Sequence, residues 1–420
     1  MDHRPPLPVA TRMALLAGRG ASRLSRRLGQ GRGAQVGGKV AYRLRPKSLR
    51  DLAAGRTTAL VSATNGKSTT ATLLQSAVRT LAPTAFNAMG ANMEEGIVAA
   101  LDAERSAPLA VLETDEAYLG VVVAATRPQV LVLMNLSRDF LERGVRAKAL
   151  SAHWRQTVAA IDWPCTVVAN ADDPLVAGAV MGSADVVWVA GEDTFIADGL
   201  LCRDCRIALD RSSPPHWRCP RCDFARPTPH WSLHGSHAVG PGGEVALPAA
   251  LPGRAASVNA LFALAGAQAM GVDPLGAVQQ FARVENVDGR YARHNVGGHS
   301  VRVLLAKNPA SWSASIATVK HADGEQRASV VFAMAGRGTG GGQDTAMLWD
   351  APFEELAGVR VTTAGSRGDE LAVRLIAAGL EVEPAGEDVF DVVKRQPPGP
   401  VDLVANWPAF NQVLDRIGRG

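Results

Sequence analysis

The chain has 420 residues, 47% of them hydrophobic and 20% charged, a globular composition too long for one ordinary core, so two or three domains are expected. No apolar run reaches the roughly 18 residues of a membrane span, and a net charge of +4 is too small for this length to mark a nucleic-acid binder. Five cysteines in a chain with no apolar leader argue against disulfides and for a cytosolic protein.

In chain order, the basic stretch comes first: the first 56 residues carry thirteen Arg and Lys against two Asp. Residues 1–50 are expected to pack on the domain that follows, with a solvated or membrane-surface basic face. Residues 57–63, TTALVSA, form a short β-type run, and KSTTATLLQSAVRTLA follows with a helical pattern. Between them lies Gly66-Lys67-Ser68. Strand, tight turn and helix form the setting in which backbone amides and a helix N-terminus hold phosphate. In such a loop Gly66 lets the backbone approach, Lys67 reaches the β and γ phosphates of ATP, and Ser68, with Thr69, ligates Mg²⁺. The generic phosphate-loop pattern asks for a glycine five positions before Gly66, where this chain has Val61.

Further apolar strands are expected at 109–113, 129–136, 165–170 and 186–191, with helices between several of them, which implies a mostly parallel sheet covered on both faces. At the end of the 109–113 run, VLETDEAYL places Glu113 as the expected second magnesium ligand, with Asp115 and Glu116 beside it. Asn170 and Asp173 fall in a turn after the 165–170 strand, and Cys165 reads as a buried structural thiol. The rhythm breaks from about 198 to 250. There Cys202-x-x-Cys205 and Cys219-x-x-Cys222, thirteen residues apart, have the spacing of a closed four-sulfur Zn²⁺ site with a structural role. His216, His230, His234 and His237 read as surface or loop residues, since the sulfurs suffice. A helix is expected over 256–271, a turn-rich hinge over 284–298, and then a second α/β series to the C-terminus.

The stretch ATNGKST resembles the shorter GTNGKTT loop of Mur ligases, the ATP-dependent amide-forming enzymes of cell-wall precursor synthesis, with Ala63 in place of their first glycine. The inserted four-cysteine ribbon narrows the resemblance to the MurT family, which also matches GGKVAYRLRP (37–46), GANMEEGI (90–97), NLSRDFLER (135–143), NADDP (170–174), GRYA (289–292), LAKNPASW (305–312), QDTAMLWDAPFEEL (343–356) and AGSRGDELAVRL (364–375). The resemblance implies an α/β, Mur-ligase-like fold: a central parallel-sheet ATPase domain over 51–284, its zinc-ribbon insert at about 198–230, and a C-terminal Rossmann-like domain over 285–420. It implies a carbon–nitrogen ligase that phosphorylates the α-carboxyl of D-glutamate in lipid II, releases ADP, and amidates the acyl phosphate with ammonia from a GatD-like glutaminase in a heterodimer.

By the same resemblance Thr64, Asn65, Gly66, Lys67, Ser68, Thr69, Asn259 and Arg290 would contact the nucleotide, with Lys67 and Glu113 serving the phosphoryl transfer. Asp344 or Asp350 would complete the glutaminase's Cys-His pair across the subunit interface. The location implied is cytoplasmic, with a peripheral position at the inner face of the membrane left open by the lipid-borne substrate. The chain departs from the family at MAGRGTGGGQDTAMLWD, at NWPA (406–409), at NLSRDFLERGVR, and in keeping a single asparagine, Asn259, in its helix. These departures keep two alternatives in play: a divergent paralogue joining a different carboxylate and amine in specialised metabolism, and a non-catalytic nucleotide-binding subunit.

Overall fold

The computed structural model describes residues 5–27, 34–87, 91–138, 147–183, 185–191, 198–248, 253–284, 293–320, 329–336 and 345–417. The chain divides into two compact units: Met1–Ser137, Ala147–Ala249 and Ala256–Val284 in one, and Arg138–Arg146, Ala250–Ala255 and Glu285–Gly420 in the other.

The first unit opens with helices α1 (Val9–Arg27), α2 (Ala34–Leu44) and α3 (Ser48–Ala53). Its α/β series is β1 (Thr57–Ser62), α4 (Lys67–Val78), β2 (Thr84–Phe86), α5 (Glu94–Ala103), β3 (Leu109–Thr114), α6 (Leu119–Thr126), β4 (Val130–Leu133), α7 (Ala147–Ala159), β5 (Thr166–Asn170), α8 (Pro174–Val180) and β6 (Val186–Ala190). After the cysteine-rich segment come β7 (Trp231–His234), β8 (His237–Gly240), β9 (Gly243–Ala246), α9 (Arg254–Ala269) and α10 (Pro274–Phe281). The nine strands form one sheet in the order β2-β3-β1-β4-β5-β6-β7-β8-β9. β2 to β7 pair in parallel, and β7, β8 and β9 close as an antiparallel meander. Every residue of β1 but the first is buried, as the continuous apolar run of a central parallel strand requires. The chain leaves β1 for β2 on one side and reaches β4 on the other, so ligands are expected at the carboxyl end of β1.

The cysteine-rich module is shorter than the break over 198–250 suggests, because residues 231–246 rejoin the main sheet. His234 and His237 face each other across the β7–β8 hairpin, and His230 Nδ1 accepts the Trp188 amide at 2.9 Å. Cys165 is half-buried beside the core, its thiol pushed up to about 12 by burial and then by Asp185.

α1 is fixed in rotation by small and polar contacts. A Cβ on Gly18 would lie 2.5 Å from the Gly37 carbonyl oxygen, so only glycine lets α1 and α2 approach this closely. The Thr11 hydroxyl donates to Asp51 and accepts from Arg45 Nε at 2.6 Å. Arg19 donates twice to Asp102 of α5, at 2.8 and 2.9 Å, and Arg105 donates to it at 2.7 Å. Burial opposes the Asp102 charge, but the two arginines hold that carboxyl below its usual range.

The second unit contains β10 (Arg293–Val296), β11 (His299–Leu305), α11 (Pro309–Lys320), β12 (Ser329–Ala333), β13 (Arg360–Ala364), α12 (Gly368–Ala377), β14 (Glu381–Pro384), α13 (Val389–Lys394), β15 (Val401–Ala405) and α14 (Trp407–Ile417). Its sheet runs β10-β11-β15-β12-β13-β14, parallel except for β10. The stretch expected as a hinge over 284–298 thus ends in a strand, β10, whose hairpin turns at Gly297 and Gly298. β11 and β15 are far apart in sequence, and their register is marked by a buried two-pronged pair: Arg302 faces Asp402 and donates to it at 2.8 and 2.7 Å. Among the described residues no helix is long and apolar enough to cross a membrane.

Candidate active site

Thr64, Asn65 and Gly66 form the turn between β1 and α4, and Lys67, Ser68 and Thr69 open the helix. Gly66 sits at φ +84°, a left-handed conformation that other residues adopt at a cost. A Cβ there would also run into Asn259 Oδ1 of α9, so the turn and Asn259 are in direct contact. The Asn259 carbonyl accepts from the Thr70 hydroxyl at 3.2 Å, which ties α9 to the first turn of α4. Among the described residues no side chain caps the N-terminus of α4. Its leading amides and the positive end of its dipole are therefore available to an anion.

Lys67 is buried and donates to the Ala63 carbonyl at 2.9 Å and to Glu116 Oε2 at 3.2 Å. Burial works against its charge, yet Glu116, Glu113 and Asp115 together raise the ammonium above its ordinary value. It is cationic at neutral pH. Glu113 ends β3 in parallel register with Val61 of β1, and its side chain is buried within reach of Asn92 Nδ2 at 3.5 Å. Asp115 and Glu116 are buried next to it. The sequence singled out Glu113; the direct partner of Lys67 is Glu116. Arg290 and Asp344 lie outside the described residues. Asp350 is exposed at the end of a 3-10 turn, Thr345–Asp350, and pairs with Arg138 at 3.0 Å within the second unit.

The residues that hold the turn were not found from the sequence. Asn135, just after β4, accepts the Asn65 amide through Oδ1 and donates through Nδ2 to the Asn65 carbonyl, both at 2.9 Å. The Asn135 carbonyl accepts from the Thr64 amide at 3.0 Å, and the Ser137 amide donates to Thr64 Oγ1 at 3.1 Å. Asn87 does the same for Glu113, binding its amide and carbonyl at 2.8 Å each. The only sequence signal was a polar Asn-x-Ser directly after an apolar strand. Asn135→Ala is expected to loosen the turn, raising KM for ATP several-fold and costing about 1–2 kcal/mol of stability; nucleotide titration and thermal melting check this.

The four cysteine sulfurs lie within 4.8 Å of one another, with Cys202 and Cys222 at 3.7 Å. A tetrahedral ZnS₄ unit with Zn–S bonds near 2.3 Å places its sulfurs about 3.8 Å apart, so the set fits zinc. Each knuckle also turns a backbone amide toward its first sulfur: Cys205 N to Cys202 and Arg221 N to Cys219, both at 3.4 Å. Trp217 and Phe224 pack beneath at a centroid distance of 4.9 Å. The module is bound to the turn after β5, where Arg226 pairs with buried Asp172 at 2.7 Å and Trp217 Nε1 donates to the Ala171 carbonyl at 3.2 Å. Asp173 in that turn caps α8 and accepts the Leu136 amide at 2.8 Å, next to Asn135.

Comparison with known proteins draws on the whole chain. The family described as MurT ligase C-terminal matches residues 305–410. The MurT subunit of the glutamine-hydrolysing lipid II isoglutaminyl synthase of Streptococcus pneumoniae is 27% identical over 405 residues, covering 89% of this chain and 88% of the relative. Its Staphylococcus aureus counterpart is 25% identical over 426 residues, covering 95% and 96%. The chain is thus similar to MurT subunits over nearly its whole length, and its residues 305–410 match the MurT C-terminal family. The fold is Mur-ligase-like: a pseudomurein peptide ligase type C from Methanothermus fervidus superposes with a TM-score of 0.63 at 15% identity, over 86% of this chain and 79% of its own.

Proposed function

We propose that this chain, like the MurT subunits it resembles, is the ATP-consuming subunit of an amide-forming ligase. The observation that carries the reading is Lys67, a buried cation at the uncapped head of α4, directly beside three carboxylates at the end of the neighbouring strand. In the reaction, a carboxylate oxygen of the acceptor attacks the γ-phosphorus and the bond to ADP breaks. Ammonia then attacks the acyl carbon, phosphate leaves, and the amide nitrogen loses a proton to solvent. The turn Thr64-Asn65-Gly66 and the amides of Ser68 and Thr69 hold the phosphates, Asn259 lines the turn, and Arg290, which lies outside the described residues, would contact the nucleotide by the family resemblance. Lys67 exchanges Glu116 for phosphate and offsets the charge spread over the transferred group. Magnesium, held by Ser68 and Glu113, supplies further charge neutralisation when bound. Zinc in the four-cysteine ribbon has a structural role, since a closed sulfur set leaves no open position.

The names of the relatives support lipid II as acceptor and glutamine hydrolysis as the source of nitrogen; the D-glutamate α-carboxyl as the reacting group and a GatD-like glutaminase as the partner follow from the family resemblance. A partner surface is supported by Trp349, Val373 and Ile376, large apolar side chains more than half exposed on the Thr345–Asp350 turn and on α12, which pack together. Asp350 on that turn, or Asp344, would orient the glutaminase histidine. The protein would work in the cytoplasm at the inner face of the membrane. The test is co-purification with a GatD-like glutaminase, followed by glutamine-dependent ADP release with lipid II. Equimolar ADP and amidated lipid II are expected. If ammonium salts with lipid II and ATP give no ADP, while another carboxylate and amine do, the lipid II assignment fails and the ligase of specialised metabolism takes its place.

A further inference from the structure

The outward face of α1 is more apolar than the face it buries. The inward residues are Thr11, Ala14, Leu15, Gly18 and Ser25, of which only Leu15 is a large apolar side chain. The outward residues Val9, Met13, Leu16 and Leu24 are 65%, 62%, 57% and 60% exposed. Their spacing places them within a sector of about 80° on one side of the helix. Arg12 and Arg23 are exposed along one edge of this stripe, Arg27 is exposed within it and Arg26 further round the helix, and α1 contains no Asp or Glu. A helix on the surface of a soluble protein normally shows the reverse pattern. α1 cannot roll to hide the stripe, because Gly18 against Gly37, Thr11 with Asp51 and Arg45, and Arg19 with Asp102 fix its rotation.

We propose that α1 is an interfacial helix that docks the protein on an anionic lipid surface, its apolar stripe entering the acyl boundary and its arginines meeting the phosphate headgroups. Outward leucine and methionine beside an arginine row, with no acid among them, complement a negatively charged membrane better than a protein surface, where unpaired arginines would need matching carboxylates. The inference deepens the reading of a lipid-borne acceptor, but its test uses neither ATP nor acceptor, so either can fail without the other.

The full-length protein is sedimented with vesicles of phosphatidylcholine alone and of phosphatidylcholine mixed with phosphatidylglycerol, at about 0.1 M and about 1 M salt. Binding is expected only to the phosphatidylglycerol vesicles and is expected to fall steeply at the higher salt. Arg23→Gln with Arg27→Gln should lower the partition coefficient by about thirtyfold. Met13→Gln with Leu16→Gln should lower it on the order of a hundredfold. Both pairs are exposed, so the melting temperature and the ATP turnover in solution should not change. No binding at the lower salt, equal binding to both vesicle types, or unchanged binding by the Met13 and Leu16 variant overturns the proposal. So does a change in the mass of the free protein or loss of a co-purifying subunit in that variant, which would make the stripe a protein interface.

Discussion

Lys67→Ala is expected to lower ATP turnover by about a hundred- to a thousandfold, the loss seen when one preorganised charge at a developing anion is removed. The same substitution leaves Glu113, Asp115 and Glu116 buried together without their cation. A buried charge stripped of its partner costs about 3–5 kcal/mol, so the single variant should also melt lower. The two effects separate in the double variant Lys67→Ala with Glu116→Gln. Removing one carboxylate relieves the uncompensated charge and should restore much of the melting temperature, while ADP release stays at the level of the single variant. If the double variant regains turnover along with stability, Lys67 is a structural lysine and the phosphate assignment is wrong.

Cys202→Ser is the second large effect. The purified wild-type protein should carry one zinc per chain, and the variant should carry none, as measured by elemental analysis. Metal binding by such a site is folding energy for the segment that supplies the ligands. Without it the ribbon keeps a small apolar cluster around Trp217 and Phe224 and a few isolated backbone bridges. Proteases should then cut between residues 198 and 230, and the melting temperature should fall by about 5–10 °C. The loss should reach ATP binding as well. From Arg226 through Asp172, and from Asp173 to the Leu136 amide, the ribbon is joined by hydrogen bonds to the segment whose Asn135 grips the turn between β1 and α4.

The central sheet was legible because its strands are buried on both faces and therefore read as unbroken apolar runs, as at Leu60, Val61, Leu131 and Val132. β7, β8 and β9 were not: residues such as His234, Gly240 and Gly243 break any alternation, and the strands exist by pairing with β6 and with each other. β14, with Glu381 and Glu383 outermost on the second sheet, turns only Val382 toward the core, too short an alternation to stand out. At the site, the glycine and lysine of the turn stood out because their chemistry is local. Glu116 did not stand out from Glu113, since which of two acids meets Lys67 depends on how the chain turns after β3. The twist of α1 about its axis was equally invisible, because a sequence shows that a helix has an apolar side but not which side its neighbours cover.

Asn87, Asn135 and Asn406 share one arrangement: each follows a strand and binds both the amide and the carbonyl of a residue on the adjacent strand or its outgoing turn, Glu113, Asn65 and Ala335 respectively. A carboxamide is the one short side chain that offers a donor and an acceptor side by side, as a peptide bond does. Asparagine is also chemically perishable. Loss of ammonia from Asn135 during storage would swap its donor for a second oxygen facing the Asn65 carbonyl, and the resulting repulsion would pry open the turn it now secures. Deamidation at Asn135 would thus act on the same atoms that hold the turn between β1 and α4.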